Sequence, residues 1–484
     1  MRPHFLTPAL LFLATCSSEL PRRNPPLDSF AYPSALVHVK VPGKDNGLLY
    51  VTSSNFDKLY DTGAVMAVDL DALSTALPAF ERTDKPVVGP RDAPTPLNVG
   101  DGGRVFVQSM TGDMALWTSP SDGQSYLFVP SRSEGDLLQV VQANGTQLKC
   151  VGTDSLDCQS HAITLTTAEG VTNGQPGAPA PFGVTVGQGA DSELWVTHLM
   201  SALVEKGTNR QATATTYVLR TDAQEVVKAL QDPTKHGLLQ LPPDQFLPLT
   251  VGASLAGAHA VALGPDYAFL SGRSVTSGQG TAGAPPFLLR AIRRTDPPLA
   301  LDAGLRASYP DIEARGLALN ATGTRLYLAG RATGSTLIVA HVNSTPTTLG
   351  VTVVRAIDTL PPGASAVKVI SRGTPTQPRG DLVLITCSSA GVLAIYDDEV
   401  GDIVAQVPEL GLQPYALAVD ERIIDPLTQQ KGARVYVANF ADGRVSVIDI
   451  DDVDKPQGAR VVARLGALQA CASDNRENCL EGSP

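Results

Sequence analysis

An all-β fold assembled from one repeated unit is what this sequence predicts, and three observations carry the prediction. The chain has 44 Gly and 37 Pro among 484 residues and only 18% charged residues, a composition that favours many short strands joined by turns over long helices. Short runs in which apolar residues occupy alternate positions recur along most of its length, which is the period of a half-buried strand. Each run is followed by a turn rich in Gly, Asp, Asn or Pro and then by a second alternating run, as in "ARVYVANFADGRVSVIDI", residues 433 to 450.

Seven such units can be laid out. They pair "LVHVKV" with "LLYVTSSN", "MALWTS" with "YLFVPSR", "FGVTV" with "LWVTHL", "AHAVALG" with "AFLSGR", "RGLALN" with "LYLAGR", "AVKVIS" with "LVLITCSS", and "YALAVD" with "VYVANF". A lone hairpin is marginally stable in water, so the units must stack their faces to make a core. Within the last unit, "VYVANFADGRVSVID" resembles the repeat of the YVTN family of bacterial β-propellers, and "YVTSSNFD" with "GAVMAVDLD" in the first unit is a looser copy. The other five units keep the hydrophobic pattern without the letters. The resemblance implies a β-propeller of four-stranded blades, seven by this count, over residues 35–469.

The units begin near residues 36, 113, 182, 257, 314, 365 and 414, so the first three intervals, 77, 69 and 75, exceed the last three, 57, 51 and 49. A propeller blade takes about 40 to 50 residues, so the surplus forms long loop insertions in the N-terminal half. One of them, "TDAQEVVKALQDP", carries Asp222 and Glu225 at capping-box spacing and Pro233 at its end, and predicts a short helix.

At the N-terminus, Arg2 precedes an apolar run from Phe5 to Ala14 and then Cys16, the layout of an export signal over residues 1–15. "LATC", Leu13 to Cys16, resembles the lipobox of bacterial lipoproteins, which implies lipidation of Cys16 and an anchor in the cell envelope, at the outer membrane. Thr15 stands where that pattern carries Gly, Ala or Ser, and a plain secretory signal is the alternative. Residues 16–34, proline-rich and poor in apolar side chains, are expected to form a tether. "CVGTDSLDC" and "CASDNRENC" share one spacing, which predicts local disulfides Cys150–Cys158 and Cys471–Cys479 at polar hairpin tips in an oxidising compartment, the second closing a C-terminal loop over residues 470–484. Cys387, inside "LVLITCSS", is expected as a buried free thiol.

A net charge of −11 without a basic stripe argues against a nucleic-acid partner. No local catalytic motif, phosphate loop or haem site is present, the seven histidines are dispersed, and neither a metal nor a cofactor is expected. "RGD" at 379–381, "GQGTAG" at 278–283 and the acidic run Asp449–Pro456 are read as turns and loops. Aligning the units leaves one candidate site. The position after the second strand holds Asn55, Arg132, Leu199, Arg273, Arg331, Ser388 and Phe440. Arg132, Arg273 and Arg331, with His198 beside them, could form a rim that binds an anionic group; pairing of each Arg with a turn Asp is the competing account. Three functions remain open: an envelope binding or scaffold module for a protein or polymer partner, an enzyme similar to the propeller lactonases with this rim as its site, or a structural envelope component.

Overall fold

The middle strands of the blades, such as Leu48–Ser53 and Gly63–Asp69, are buried on both faces, so each sheet must be covered on both sides, and a closed ring of sheets does this. In a computed structural model the chain forms seven blades around a central channel. The structure describes residues 23–467 apart from 74–76, 78–79, 81–96, 98, 100–101, 166–178, 190, 201–202, 207–208, 213–215, 250–256, 273–288, 304, 306–312, 332–334, 375–376, 426 and 428–429. Cys16, Arg273, Cys471 and Cys479 lie outside the described residues, as do the "GQGTAG" run and the expected export signal.

Inner strands of blades 1 to 7 are Pro33–Val39, Ala115–Thr118, Pro181–Val186, Ala258–Leu263, Glu313–Leu319, Ala364–Ile370 and Pro414–Asp425. Three further antiparallel strands follow outward in each blade, as in blade 7 with Gln430–Asn439, Arg444–Ile450 and Arg460–Leu465. Blade 2 is wider, because Gln147–Cys150 and Leu239–Gln240 join its outer edge.

The core is divided by blade interface. In blade 1, Leu49 and Val51 pack toward blade 7 and Leu48 and Tyr50 pack toward blade 2. Five more apolar clusters have the same two-blade character in the remaining pairs, down to Ile395 with Val435 and Ile448 between blades 6 and 7. The ring closes by this face packing, with all four strands of blade 7 drawn from the C-terminal part of the chain. Residues expected as tether take part: Phe30 is fully buried in the cluster between blades 7 and 1, and its N–H donates to Gly443 O at 3.1 Å.

The repeat motif has a local cause. Asn439 Nδ2 donates to Leu410 O (2.8 Å) and to Ser446 Oγ (2.9 Å), and Asp442 accepts the N–H groups of Leu412 and Arg444 at 3.2 Å. Asn, Asp and Ser in "ANFADGRVS" therefore tie the hairpin to the incoming loop, while Gly443 takes the positive φ of the turn.

Two insertions also pack. The helix Ala223–Gln231 is capped by Asp222, which accepts the Glu225 N–H at 3.0 Å, and Val226, Val227 and Leu230 join the core between blades 2 and 3. Cys150 and Cys158 are disulfide-bonded as expected, but not at an exposed tip. Both are fully buried between blades 1 and 2, and the Phe106 N–H on the outer strand of blade 1 donates to Leu156 O at 2.7 Å. Polar residues face water from this loop while its sulfurs and backbone seal a sheet edge. Cys387 is a buried free thiol, pushed up to about 12 by its burial. No helix among the described residues is long and apolar enough to cross a membrane.

Candidate functional site at the channel mouth

Where the inner strands enter the channel, the register of six of them shifts by a bulge, at Pro33/Ala35, Pro181/Val184, Ala258/Val261, Ala314/Gly316, Ala364/Val367 and Pro414/Leu417. A bulge bends its strand and re-aims one side chain. The residues in question are Ser34, Phe182, His259, Arg315, Ser365 and Tyr415, with Asp113 in the corresponding place in blade 2, and all seven line the channel or its mouth. Small neighbours are obligatory beside them because adjacent inner strands nearly touch. A Cβ on Gly183 would stand 2.2 Å from His259 O, and one on Gly316 would stand 2.7 Å from Ser365 O. Hydroxyls on the second strands hold four of the bulges: Thr52, Thr197, Ser271 and Thr386 accept the N–H groups of Ala35, Gly183, Ala260 and Ala366 at 2.8–2.9 Å.

The mouth encloses about 840 Å³. Among the described residues, three guanidinium groups line it, those of Arg132, Arg315 and Arg331, against two carboxylates, Asp136 and Glu313, an excess of positive charge within an acidic protein. Arg132 stacks over Phe182 at 5.0 Å and Arg315 over Tyr415 at 5.8 Å. His259 Nε2–H donates to Glu313 Oε1, whose other oxygen lies 3.4 Å from Arg315 Nε. Arg331 makes no ion pair with a described residue, and burial together with the nearby Arg315 charge pushes its guanidinium down from the ordinary value. Blades 7 and 1 supply an aromatic flank. Phe440 contacts Tyr32 (5.2 Å), Tyr415 (5.5 Å) and Phe56 (5.6 Å), and Phe56 is 47% exposed.

Deeper in the channel is a throat of about 180 Å³ lined by Asp113, Arg315, Ser365, Lys368 and Tyr415 among others. Asp113 is half-buried and Lys368 keeps an exposed surface along the channel wall. Burial pushes the Asp113 carboxyl up to about 6, against the pull of Lys368, Arg132 and Arg315. It pushes Lys368 down, against the pull of Asp113. Tyr415 is raised to about 12 by the same desolvation.

Of the rim expected from sequence, Arg132 and Arg331 line one cavity, together with Leu199, Ser388 and Phe440 from the same aligned position. His198 does not line it. Strand alternation turns His198 into blade 3 when Leu199 faces the mouth: the ring is fully buried, its Nδ1–H donates to Tyr217 O at 3.1 Å, and burial holds its pKa down at about 3. Sequence alignment of strand ends missed the ring at the strand starts. Its signal is legible in "PSAL", "PFGV", "AHAV", "ARGL", "ASAV" and "PYAL", where one variable residue is flanked by Pro or Ala before and Ala or Gly after.

The remaining motifs are structural. In "RGD", Arg379 pairs with Glu399 and Asp454, and Asp381 accepts the Tyr327 hydroxyl at 2.8 Å. In the acidic run, Asp449 binds Arg434 and Asp451 binds Arg460. No group of three His, Cys, Asp or Glu able to hold a metal occurs among the described residues.

No protein-family model matches the chain, and no curated protein matches it. Among solved structures it is similar to hydrazine synthase of Kuenenia stuttgartiensis, at TM-score 0.47 and 12% identity over 87% of this chain and 96% of that one. A second likeness is to the periplasmic gluconolactonase of Pseudomonas aeruginosa, at TM-score 0.49 and 13% identity over 88% and 98%. A third is to apo AztD from Citrobacter koseri, at TM-score 0.38 and 11% identity over 90% and 86%. At these values none of them assigns a ligand or a reaction to this chain.

Proposed function

We propose that the protein is an exported, lipid-anchored binding module that takes the anionic end of an envelope protein or polymer into the channel mouth. The observation that carries this reading is the convergence of Arg132, Arg315 and Arg331 on one cavity whose lining has fewer carboxylates than guanidinium groups. A volume of about 840 Å³ suits a group the size of a small molecule, so what enters is a side chain or a terminal sugar. The aromatic flank supplies apolar surface for the rest of that group. The disulfide supports export, and Cys16 is the residue that would carry the lipid.

The test is calorimetric binding of a panel of oligouronates and glutamate-rich peptides to the full chain. Arg132→Ala and Arg331→Ala are each expected to weaken the best ligand by about tenfold or more, the usual loss for a charge-assisted hydrogen bond, and raised salt should act in the same direction. A panel without binders, or variants that bind like the unmodified protein, would refute the reading.

A lactonase-like enzyme is the second reading. It is favoured by one observation, a carboxyl titrating near pH 6 at Asp113 in the channel that His259 and Arg315 also line. Hydrolysis of a panel of five- and six-membered lactones, abolished in Asp113→Asn, would support it.

A further inference from the structure

The throat below the mouth holds charged groups that the mouth ligand does not use. Lys368 lies three residues deeper along the inner strand of blade 6 than the ring residue Ser365, and Asp113 enters from blade 2. Neither side chain makes a hydrogen bond or ion pair with a described residue, although both line the same small chamber and feel each other's charge. Two opposite charges left apart across a narrow channel leave room between them for a third group.

We propose that this throat is a second binding site for a small carboxylate, held by Lys368 and by Arg315, which it shares with the mouth, with Asp113 as the competing charge. The sign follows from the lining: Lys368 and Arg315 outnumber Asp113, so an anion is attracted and a cation would face two positive groups. The volume of about 180 Å³ admits a short-chain acid and excludes a larger one. Ser365 lines the chamber and offers a hydroxyl to the same ligand.

Asp113 sets the pH response. The charged and titratable groups around it are Arg132 from its own blade, Arg315 and Glu313 with His259 at the mouth, Lys368 on blade 6 and Tyr415 on blade 7. Tyr415, raised to about 12, stays neutral across this range. Protonation of Asp113 below about pH 6 removes the one anionic side chain among the described residues that line the throat, and carboxylate affinity rises as it does so. By linkage, a bound carboxylate raises the apparent pKa of Asp113 and takes up a proton.

Formate, which stays ionised at pH 5, is the probe. Titrated into the full chain, it is expected to bind at one saturable site about tenfold more tightly near pH 5 than near pH 7.5. Asp113→Asn should bind near pH 7.5 as the unmodified protein does near pH 5, and Lys368→Met should lose most of the affinity at both. The Asp113 carboxyl, followed by carbon NMR in the unmodified protein, should titrate at higher pH with formate present, a readout that needs no variant. The proposal is overturned if formate does not saturate near pH 5, if Lys368→Met binds as before, if Asp113→Asn keeps the pH dependence, or if the Asp113 titration ignores formate. Arg331→Ala separates the two sites: it leaves formate binding unchanged here, whereas its loss would assign formate to the mouth and end the throat proposal without touching the mouth reading.

Discussion

His198 illustrates how one residue's place is decided by which side of a strand it falls on. Its neighbour Leu199 lines the mouth, and the imidazole is sealed inside blade 3 and held neutral down to about pH 3. An ordinary histidine takes up a proton near 6.5 in the unfolded chain, so unfolding binds a proton throughout the interval between. Stability from this group is therefore complete above pH 6.5 and is lost as pH falls toward 3, by several kcal/mol if the shift is fully expressed. Asp113 acts in the opposite sense, since its raised carboxyl favours the folded state at low pH and loses that contribution as pH rises through about 6. Comparing His198→Leu with the unmodified protein cancels the Asp113 term. The variant should be less stable at pH 7, by roughly 1–3 kcal/mol for the orphaned Tyr217 carbonyl, and its urea midpoint should fall less steeply between pH 6.5 and pH 3. Parallel curves for the two proteins would show that His198 is not buried as described.

Elements gain their roles from the sheet edge or face they cover. The Cys150–Cys158 loop looks in sequence like an isolated polar tip, yet it adds backbone to the outer edge of blade 1 and puts both sulfurs in the core between blades 1 and 2. Its cross-link therefore holds a blade interface as well as a loop. Replacing both cysteines with Ala should cost about 2–4 kcal/mol, with hydrogen exchange accelerated first in Arg104–Val107 and Gln147–Cys150. Faster exchange confined to the loop itself would mean that the interface stands without it. The short helix Ala223–Gln231 behaves likewise: its apolar side is consumed by packing between blades 2 and 3, which leaves no apolar stripe on it for a partner.

At the scale of the whole molecule, seven two-blade clusters replace a single core, and closure depends on the pair formed by the two ends of the chain. Phe30 belongs to that last cluster, and the Ala467 N–H donates to Asp28 O at 2.9 Å. Arg23 and Pro25 are docked as well, where the Asp61 N–H donates to Arg23 O at 3.0 Å and Arg104 donates to Pro25 O at 2.5 Å, so a tether to the membrane would lie N-terminal to Arg23. Acyl chains contribute about 0.8 kcal/mol per buried methylene, so several chains on Cys16 would hold an acidic propeller at a bilayer. The protein is expected to incorporate radioactive fatty acid and to fractionate with membranes, and Cys16→Ala should move it to the soluble fraction. A Cys16→Ala protein that stays with membranes would remove the lipid-anchor proposal.

The repeated strand pair, the count of seven and the Cys150–Cys158 link were determined by sequence alone, because each is a local pattern: alternation over five or six residues, turn residues between, two thiols eight positions apart. Arg132 and Arg331 could be aligned for the same reason, since equivalent positions in a repeat return to equivalent places. What tertiary structure alone decided is everything that depends on neighbouring blades. Asp113 and Lys368 are 255 residues apart in sequence and line one throat only because inner strands converge on one axis. His198 and Leu199 are adjacent in sequence and part company because a strand has two sides. Whether a charged residue ends in water, in a blade or in a channel follows from how the ring closes, and that is set by long-range face packing that no local pattern encodes.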